Sequence, residues 1–142
     1  MNQIDEKMKK ILPYIDKDFF GKPSKKFKNI FLEEIANCEK KKAPTSYINF
    51  LKKYGTGDLS IAFRIDSELL DYKAIYGREI PELEGMLVFG SDIGEYVYAF
   101  DTKNNWEVVD IDADGEIFER YGDFETFINT ILDEIIESMK NE

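Results

Sequence analysis

The segment Asp110–Gly115 carries the pattern of side chains in this sequence that most resembles a metal site. It reads DIDADG, which matches the D-x-D-x-D-G opening of an EF-hand calcium loop. That loop needs a bidentate glutamate at its twelfth position, where this chain has Tyr121, and it needs flanking helices, where strands are predicted. We therefore interpret the segment as a β-turn in which Gly115 has a positive φ, with cation binding as the alternative. We predict no metal site.

The sequence gives little support for a catalytic centre. The sequence contains no histidine, so neither a Ser-His-Asp nor a Cys-His arrangement can form. The single cysteine, Cys38, falls on the apolar stripe of a predicted helix, which indicates an unreactive buried thiol. No segment matches a phosphate-binding loop or a dinucleotide fingerprint. A catalytic pair among the many carboxylates is not excluded by their number, but their spacing indicates none. We predict neither an enzyme nor a cofactor.

A strand predicted over Glu95–Asp101 concentrates aromatic side chains. Because side chains alternate along a strand, Tyr96, Tyr98 and Phe100 share one face, and the small residues between them share the other. Tyrosine and tryptophan are enriched at binding hot spots, and acidic residues surround this strand in the sequence. The candidate partner-binding residues are Asp92, Glu95, Tyr96, Tyr98, Trp106, Asp110, Asp112, Asp114 and Glu116. The alternative, in which the aromatic side chains belong to the core, stays open because the register is not fixed.

The first half of the chain shows mainly helical periodicity. Apolar residues at helical spacing predict a helix over 2–12 that Pro13 disturbs, and a second helix from Lys25 to about Lys40. A third helix begins after Pro44 and ends at Gly55, where a left-handed C-terminal cap is expected. Residues 59–65 then predict a strand, and a short helical turn is predicted from Asp66 or Ser67 through Tyr72.

The second half predicts an antiparallel meander followed by a closing helix. Short connectors rich in turn residues separate the predicted strands, so neighbours should pair antiparallel. The strands are Met86–Phe89, Glu95–Asp101, Trp106–Ile111 and Glu116–Tyr121, and the helix runs from Phe124 to about Met139 with Asp123 as its cap. The predicted fold class is α+β, a single domain over residues 1–142 in which N-terminal helices and a C-terminal helix pack the sheet.

Charge is distributed unevenly along the 142 residues, whose net charge is −10. Residues 1–42 contain 11 lysines and 7 acidic residues, whereas residues 43–142 contain 8 basic and 22 acidic residues. An acidic field repels phosphate backbones, which argues against nucleic acid as the ligand, and it favours encounter with a basic protein. A general contribution to solubility is the alternative explanation of the charge.

Cysteine usage and hydropathy give an expected location. One cysteine cannot form an internal disulfide, which suits a reducing compartment. The first residues do not resemble a signal peptide, and no apolar run approaches the ~20 residues that span a bilayer. We expect a cytoplasmic protein without a membrane partner.

The order of these elements resembles the SUKH superfamily. The resemblance begins with the acidic helix segment Phe31–Ile35 and continues with Ala43–Gly55, which is similar to the family pattern L-P-x-x-Y-x-x-F-L-x-x-x-G except for Ala43. Leu87–Glu95 is similar to the family's strand, acidic-glycine turn and second strand. Tyr121–Ile128 is similar to the start of its closing helix, with Asp123 in place of the usual small residue. The resemblance covers about residues 27–136.

Membership of this superfamily would imply a protein-binding function. Its bacterial members are mostly immunity proteins that hold a toxin, often a nuclease, inactive in the producing cell, and it also contains a yeast regulator of cell-wall synthesis. The resemblance implies stoichiometric binding of a cognate toxin with a basic nuclease domain, and it carries over no catalytic residue. The alternative is an intracellular scaffold or regulatory module of the same fold. The sequence identifies neither the toxin, nor the surface that binds it, nor the oligomeric state.

Overall fold

A computed structural model describes residues 2–17, 20–29, 32–60, 63–92, 94 and 96–141. Its helices are α1 (Asn2–Ile15), α2 (Leu32–Lys40), α3 (Thr45–Tyr54), α4 (Tyr72–Tyr76) and α5 (Phe124–Met139), with a 3-10 turn at Pro81–Leu83. Its strands are β1 (Gly57–Ser60), β2 (Phe63–Asp71), β3 (Met86–Ser91), β4 (Val97–Asp101), β5 (Glu107–Ile111) and β6 (Ile117–Gly122).

The six strands form one antiparallel sheet in the order β1-β2-β3-β4-β5-β6. Every strand pairs with its neighbour in sequence, including β2 and β3, which the longer segment 72–85 connects. The predicted α+β class with an antiparallel meander is therefore confirmed. Because consecutive strands run in opposite directions, the β3–β4 and β5–β6 turns lie at one end of the sheet, and the β4–β5 turn lies at the other.

The main core lies between one face of the sheet and helices α1, α3 and α5. Aromatic rings dominate its centre. The ring of Tyr47 from α3 lies 5.1 Å from Phe100 and 5.4 Å from Phe124, and Phe89 stacks on Phe100 at 4.3 Å. Apolar residues at helical spacing on α5 cover this face, as the sequence predicts.

A second, smaller core covers the opposite face of the sheet. The segment between β2 and β3 contains α4 and the 3-10 turn, and it places Tyr72, Ile80 and Leu83 against that face. The sheet contributes small or branched side chains there, including Ala99 and Val109. Both faces of the sheet are therefore at least partly covered.

Helix α1 does not end at Pro13 but continues to Ile15. Proline removes a backbone donor and costs about 3 kcal/mol in a helix interior. The side chain of Pro13 is exposed, while Ile4, Met8 and Ile11 on the opposite stripe are fully buried. Packing of this stripe in the main core outweighs the local cost, so the prediction of a disturbed helix was wrong.

Helix α2 begins at Leu32, and the predicted start at Lys25 was wrong. Lys28 instead pairs with Thr56, exchanging N–H···O bonds of 2.8 and 3.0 Å. Gly55 permits this approach, because a Cβ there would lie 1.9 Å from the Lys28 carbonyl oxygen. Gly55 ends α3 with φ +91°, and the positive sign agrees with the predicted left-handed cap. Its ψ of −151°, however, lies outside the left-handed helical region.

The predicted helical turn at 66–72 was also wrong, because β2 continues to Asp71 and α4 starts only at Tyr72. The strand predicted over 59–65 corresponds to parts of β1 and β2, and positions 61 and 62 lie outside the described residues. Strand β2 is irregular: Ile65 pairs with Gly90 and Leu70 pairs with Val88, so four residues of β2 lie opposite one residue of β3. This long bulge explains why the apolar residues of 66–71 do not alternate with polar ones as in a regular strand.

Asp123 caps α5 as predicted, and its removal gives a stability test. Its Oδ1 accepts the Thr126 backbone N–H at 2.8 Å, and this bond, with a smaller contribution from the Thr126 side chain, lowers the pKa of Asp123. We expect Asp123→Ala to lower the unfolding free energy by about 0.5–2 kcal/mol at pH 7. A lowered folded-state pKa stabilises the protein above the unfolded value of about 4 and ceases to do so as the pH falls through the folded value.

Urea unfolding of wild type and variant between pH 7 and pH 3 measures this effect. The difference between them should shrink towards pH 3. Asp123→Asn keeps an acceptor and is the matched control, with a smaller loss that depends less on pH. An Asp123→Ala effect that does not change with pH would contradict a contribution from the charge.

Candidate partner-binding surface

Two hairpin turns of similar construction lie side by side at one end of the sheet. In the β3–β4 turn, Asp92 Oδ1 accepts the N–H groups of Gly94 and Tyr96 at 2.9 and 3.1 Å. In the β5–β6 turn, Asp112 Oδ1 accepts those of Asp114 and Glu116 at 2.9 and 3.0 Å. Each aspartate also donates its backbone N–H across its turn, Asp92 to the Tyr96 carbonyl oxygen and Asp112 to that of Glu116. The two aspartates therefore fix the turns from within.

Tyr96 and Phe118 form an aromatic pair next to these turns. Their ring centroids are 5.7 Å apart, and Phe118 is 64% exposed. Phe118 is an extra residue of β6, because Ile111 pairs with Ile117 and Asp110 pairs with Glu119. A bulge redirects the side chain it inserts, which explains an exposed phenylalanine in a strand. We call Asp92, Tyr96, Asp112, Asp114, Glu116 and Phe118 the acidic turn surface.

The second core supports the β5–β6 turn from below. The Tyr76 hydroxyl donates to the Asp112 carbonyl oxygen at 2.8 Å, and Arg78 Nη2 donates to that of Asp114 at 3.0 Å. Burial, together with the Asp112 charge, raises the pKa of Tyr76 to about 12. Because Tyr76 stays protonated at neutral pH, it remains a donor that holds this turn.

The structure decides between the two interpretations of the aromatic strand face. Tyr98 is only 8% exposed, with its ring 5.3 Å from Phe63 and 5.1 Å from Phe127, and Phe100 is fully buried. The aromatic face is the one that α5 covers, so the expectation of an open face that includes Tyr98 is corrected. The α4 segment packs on the other face, to which β4 contributes the small residue Ala99.

Asp110 is also buried, at 6% exposure, and acts within the fold. Its carboxylate accepts the Tyr121 hydroxyl at 2.7 Å and the Glu119 backbone N–H at 2.7 Å. Burial and this hydrogen bond raise the pKa of Tyr121. Asp110 therefore holds the bulged strand β6 through these two hydrogen bonds and is not available to a partner.

Trp106 lies at the opposite end of the sheet, in the β4–β5 turn. It has a positive φ of 59°, and its half-buried ring packs on Phe100 at 5.6 Å. The prediction that Trp106 lies on one surface with the other candidates was wrong. In the antiparallel sheet, the β4–β5 turn lies at the end opposite the β3–β4 and β5–β6 turns. Glu95, the remaining candidate, lies outside the described residues.

Residues 112–116 form the predicted turn between β5 and β6, and Gly115 has φ +86°. The carboxylates of Asp110 and Asp112 point to donors within the fold, namely the N–H groups and the Tyr121 hydroxyl. In the part of the chain that the structure describes, no group of three or more His, Cys, Asp or Glu side chains is arranged to hold a metal ion.

The single thiol is buried, as predicted. Cys38 is 1% exposed, and its Sγ donates to the Ser67 carbonyl oxygen at 3.2 Å. Burial, reinforced by the charge of Glu34, raises the pKa of the thiol, which disfavours the reactive thiolate.

The acidic turns and the Tyr96–Phe118 pair thus lie together at one end of the bulged meander. Residues 31–130 match the model of the SMI1 / KNR4 family (SUKH-1), and the chain belongs to that family. The resemblance drawn from the sequence is thereby confirmed. Membership supports an immunity or regulatory role exerted through protein binding, and proteins of the family are generally not catalytic.

No curated protein matches the sequence. No helix among the described residues has the length and apolar character needed to cross a membrane.

Proposed function

We propose that this chain is an immunity protein that binds a cognate bacterial toxin with a basic nuclease domain and neutralises it by stoichiometric binding. The observation that carries the proposal is the family match over residues 31–130. In this proposal the protein acts in the cytoplasm of the producing cell, and it binds neither nucleic acid nor a membrane.

The charge of the chain supports a basic partner. Nucleases hold the phosphate backbone with lysine and arginine side chains. The acidic turn surface presents Asp114 and Glu116 as exposed carboxylates beside an aromatic pair. Complementary charge would accelerate encounter, while desolvation of Tyr96 and Phe118 would supply affinity.

Co-expression with the toxin encoded next to the gene of this chain tests the proposal. We expect the immunity protein to restore growth and to co-purify with the toxin in equal amounts. A nuclease-inactive toxin separates the two readouts, since it should still form the complex without affecting growth. Expression of folded protein with neither rescue nor complex would overturn the proposal and favour a regulatory partner instead.

A further inference from the structure

A groove of about 380 Å³ opens on the second face of the sheet beside α4. This volume falls within the ~300–1,000 Å³ typical of sites for small ligands. Its apolar part consists of Leu70, Ile75, Val88 and Val97, and its polar part includes Glu34, Arg64, Asp66, Ser67, Glu68 and Ser91. Ile75 is 42% exposed at its edge. The α4 segment covers the β3–β5 side of this face and leaves the groove on the β2 side.

The long bulge of β2 shapes this groove and is held in place by the core. The buried Tyr47 hydroxyl donates to the Asp66 carbonyl oxygen, and Cys38 Sγ donates to that of Ser67. The Ser67 hydroxyl donates to Glu34 Oε1 at 3.3 Å. A bulge supported by contacts from two helices is a fixed feature of the fold, and such bulges often border binding sites.

Gly90 lines the groove opposite the bulge. A Cβ at this position would lie 2.5 Å from the Arg64 carbonyl oxygen, so β2 and β3 approach each other only because the residue is glycine. The shape of the groove therefore results from a bulge on one strand and a glycine on the next.

The polar edge of the groove favours a cation. Three of its side chains are carboxylates, and one is a guanidinium. Arg64 contacts Asp66 at 3.0 Å and Asp58, outside the groove, at 3.3 Å, so the charges of Arg64 and Asp66 compensate each other. Glu34 and Glu68 carry the remaining negative charge of the edge. An apolar floor beside carboxylates suits a side chain with an aliphatic stem and a charged head. Arginine matches best, because its several donors can reach carboxylates in different directions and it is weakly hydrated.

We propose that this groove binds an arginine side chain presented by the protein partner. The inference rests on the proposed protein-binding function, since the cation belongs to the partner chain. The groove borders the β3–β4 hairpin, because Val97 lines it. Successive side chains alternate between faces, so the neighbouring Tyr96, whose ring packs against Phe118, lies on the opposite face. A partner that grips this hairpin would contact the acidic turn surface on one side and insert an arginine on the other.

Titration of the ¹⁵N-labelled full chain with Nα-acetyl-arginine amide tests the groove without the toxin. We expect backbone amide shifts centred on Leu70, Gly90 and Ser91, and much weaker shifts with the neutral citrulline analogue. Glu68→Gln should raise the apparent Kd by roughly two- to fivefold, as expected for one solvent-exposed charge contact. Ile75→Ser should also weaken binding because it removes the apolar edge. Glu137→Gln, an equal charge change outside the groove, should have no effect.

Equal shifts with arginine and citrulline, shifts confined to the acidic turn surface, or an unchanged Kd in Glu68→Gln would each overturn the assignment. This result is separable from the proposed function. A wild-type protein that captures the toxin but does not bind the arginine probe contradicts the groove alone. A protein that binds the probe but neither captures nor neutralises the toxin contradicts the immunity function alone.

Discussion

Phe127→Ala is expected to lower the free energy of unfolding by about 3–5 kcal/mol, the range for removing a buried phenylalanine. Phe127 is fully buried where α5 meets the sheet, with its ring 5.1 Å from Tyr98, 5.1 Å from Tyr121 and 5.8 Å from Phe89. The neighbouring rings belong to three different strands, so they cannot all move inward to fill the space. Urea unfolding followed by the fluorescence of the single tryptophan, Trp106, measures the loss.

Phe118→Ala provides the matched control for this loss. It removes the same side chain from a position that is 64% exposed, so we expect a change within about 0.5 kcal/mol. The comparison tests which aromatic residues belong to the core. Similar losses in both variants would contradict the distinction between Phe118 and the residues that α5 covers.

The parts of the fold that could be predicted are those in which local pattern and tertiary packing agree. Helix α5 matches its predicted span from Phe124 to Met139, because a capping aspartate precedes an unbroken apolar stripe. Strands β3 to β6 fall within one to two residues of their predicted limits, because turn residues separate them. The structure of these segments can be predicted without knowing which distant residues they contact.

The errors arise where a distant contact determines local structure. The extended course before α2 depends on pairing of Lys28 with Thr56, a residue that follows another helix. The bulge of β2 depends on donors from Tyr47 and Cys38. Nothing in the sequence of residues 25–29 or 66–69 indicates these distant partners. The spacing of apolar residues there predicts helical structure instead.

The candidate site was predictable in its turns and not in its aromatic part. Asp92 and Asp112 sit in short connectors whose composition already indicates turns. Which aromatic side chains are exposed depends on a bulge that redirects Phe118 and on the side of the sheet that α5 covers. The alternation of Tyr96, Tyr98 and Phe100 is equally consistent with either side, so it neither excludes Tyr98 from the surface nor identifies Phe118 as exposed.

If the acidic turn surface binds the toxin, Tyr96→Ala and Phe118→Ala should each weaken the complex by about tenfold or more, as expected for aromatic anchors worth at least 1–2 kcal/mol. The two rings contact each other at 5.7 Å, so the double variant should lose less than the sum of the two single losses. Calorimetry with a nuclease-inactive toxin measures the Kd. Leu32→Ala is the control, because it truncates an apolar side chain that is 88% exposed on α2.

The charged part of this surface should act on the rate of association more than on the lifetime of the complex. Asp114→Asn removes a charge from an exposed side chain while retaining its shape, so it should lower kon and reduce the dependence of kon on salt, with koff nearly unchanged. The aromatic variants should do the reverse and raise koff, because they remove desolvated contacts that form only after docking. Stopped-flow association at several salt concentrations distinguishes these effects. If both kinds of variant leave both rates at the wild-type values while the wild-type protein still neutralises the toxin, the toxin binds a different surface of the domain.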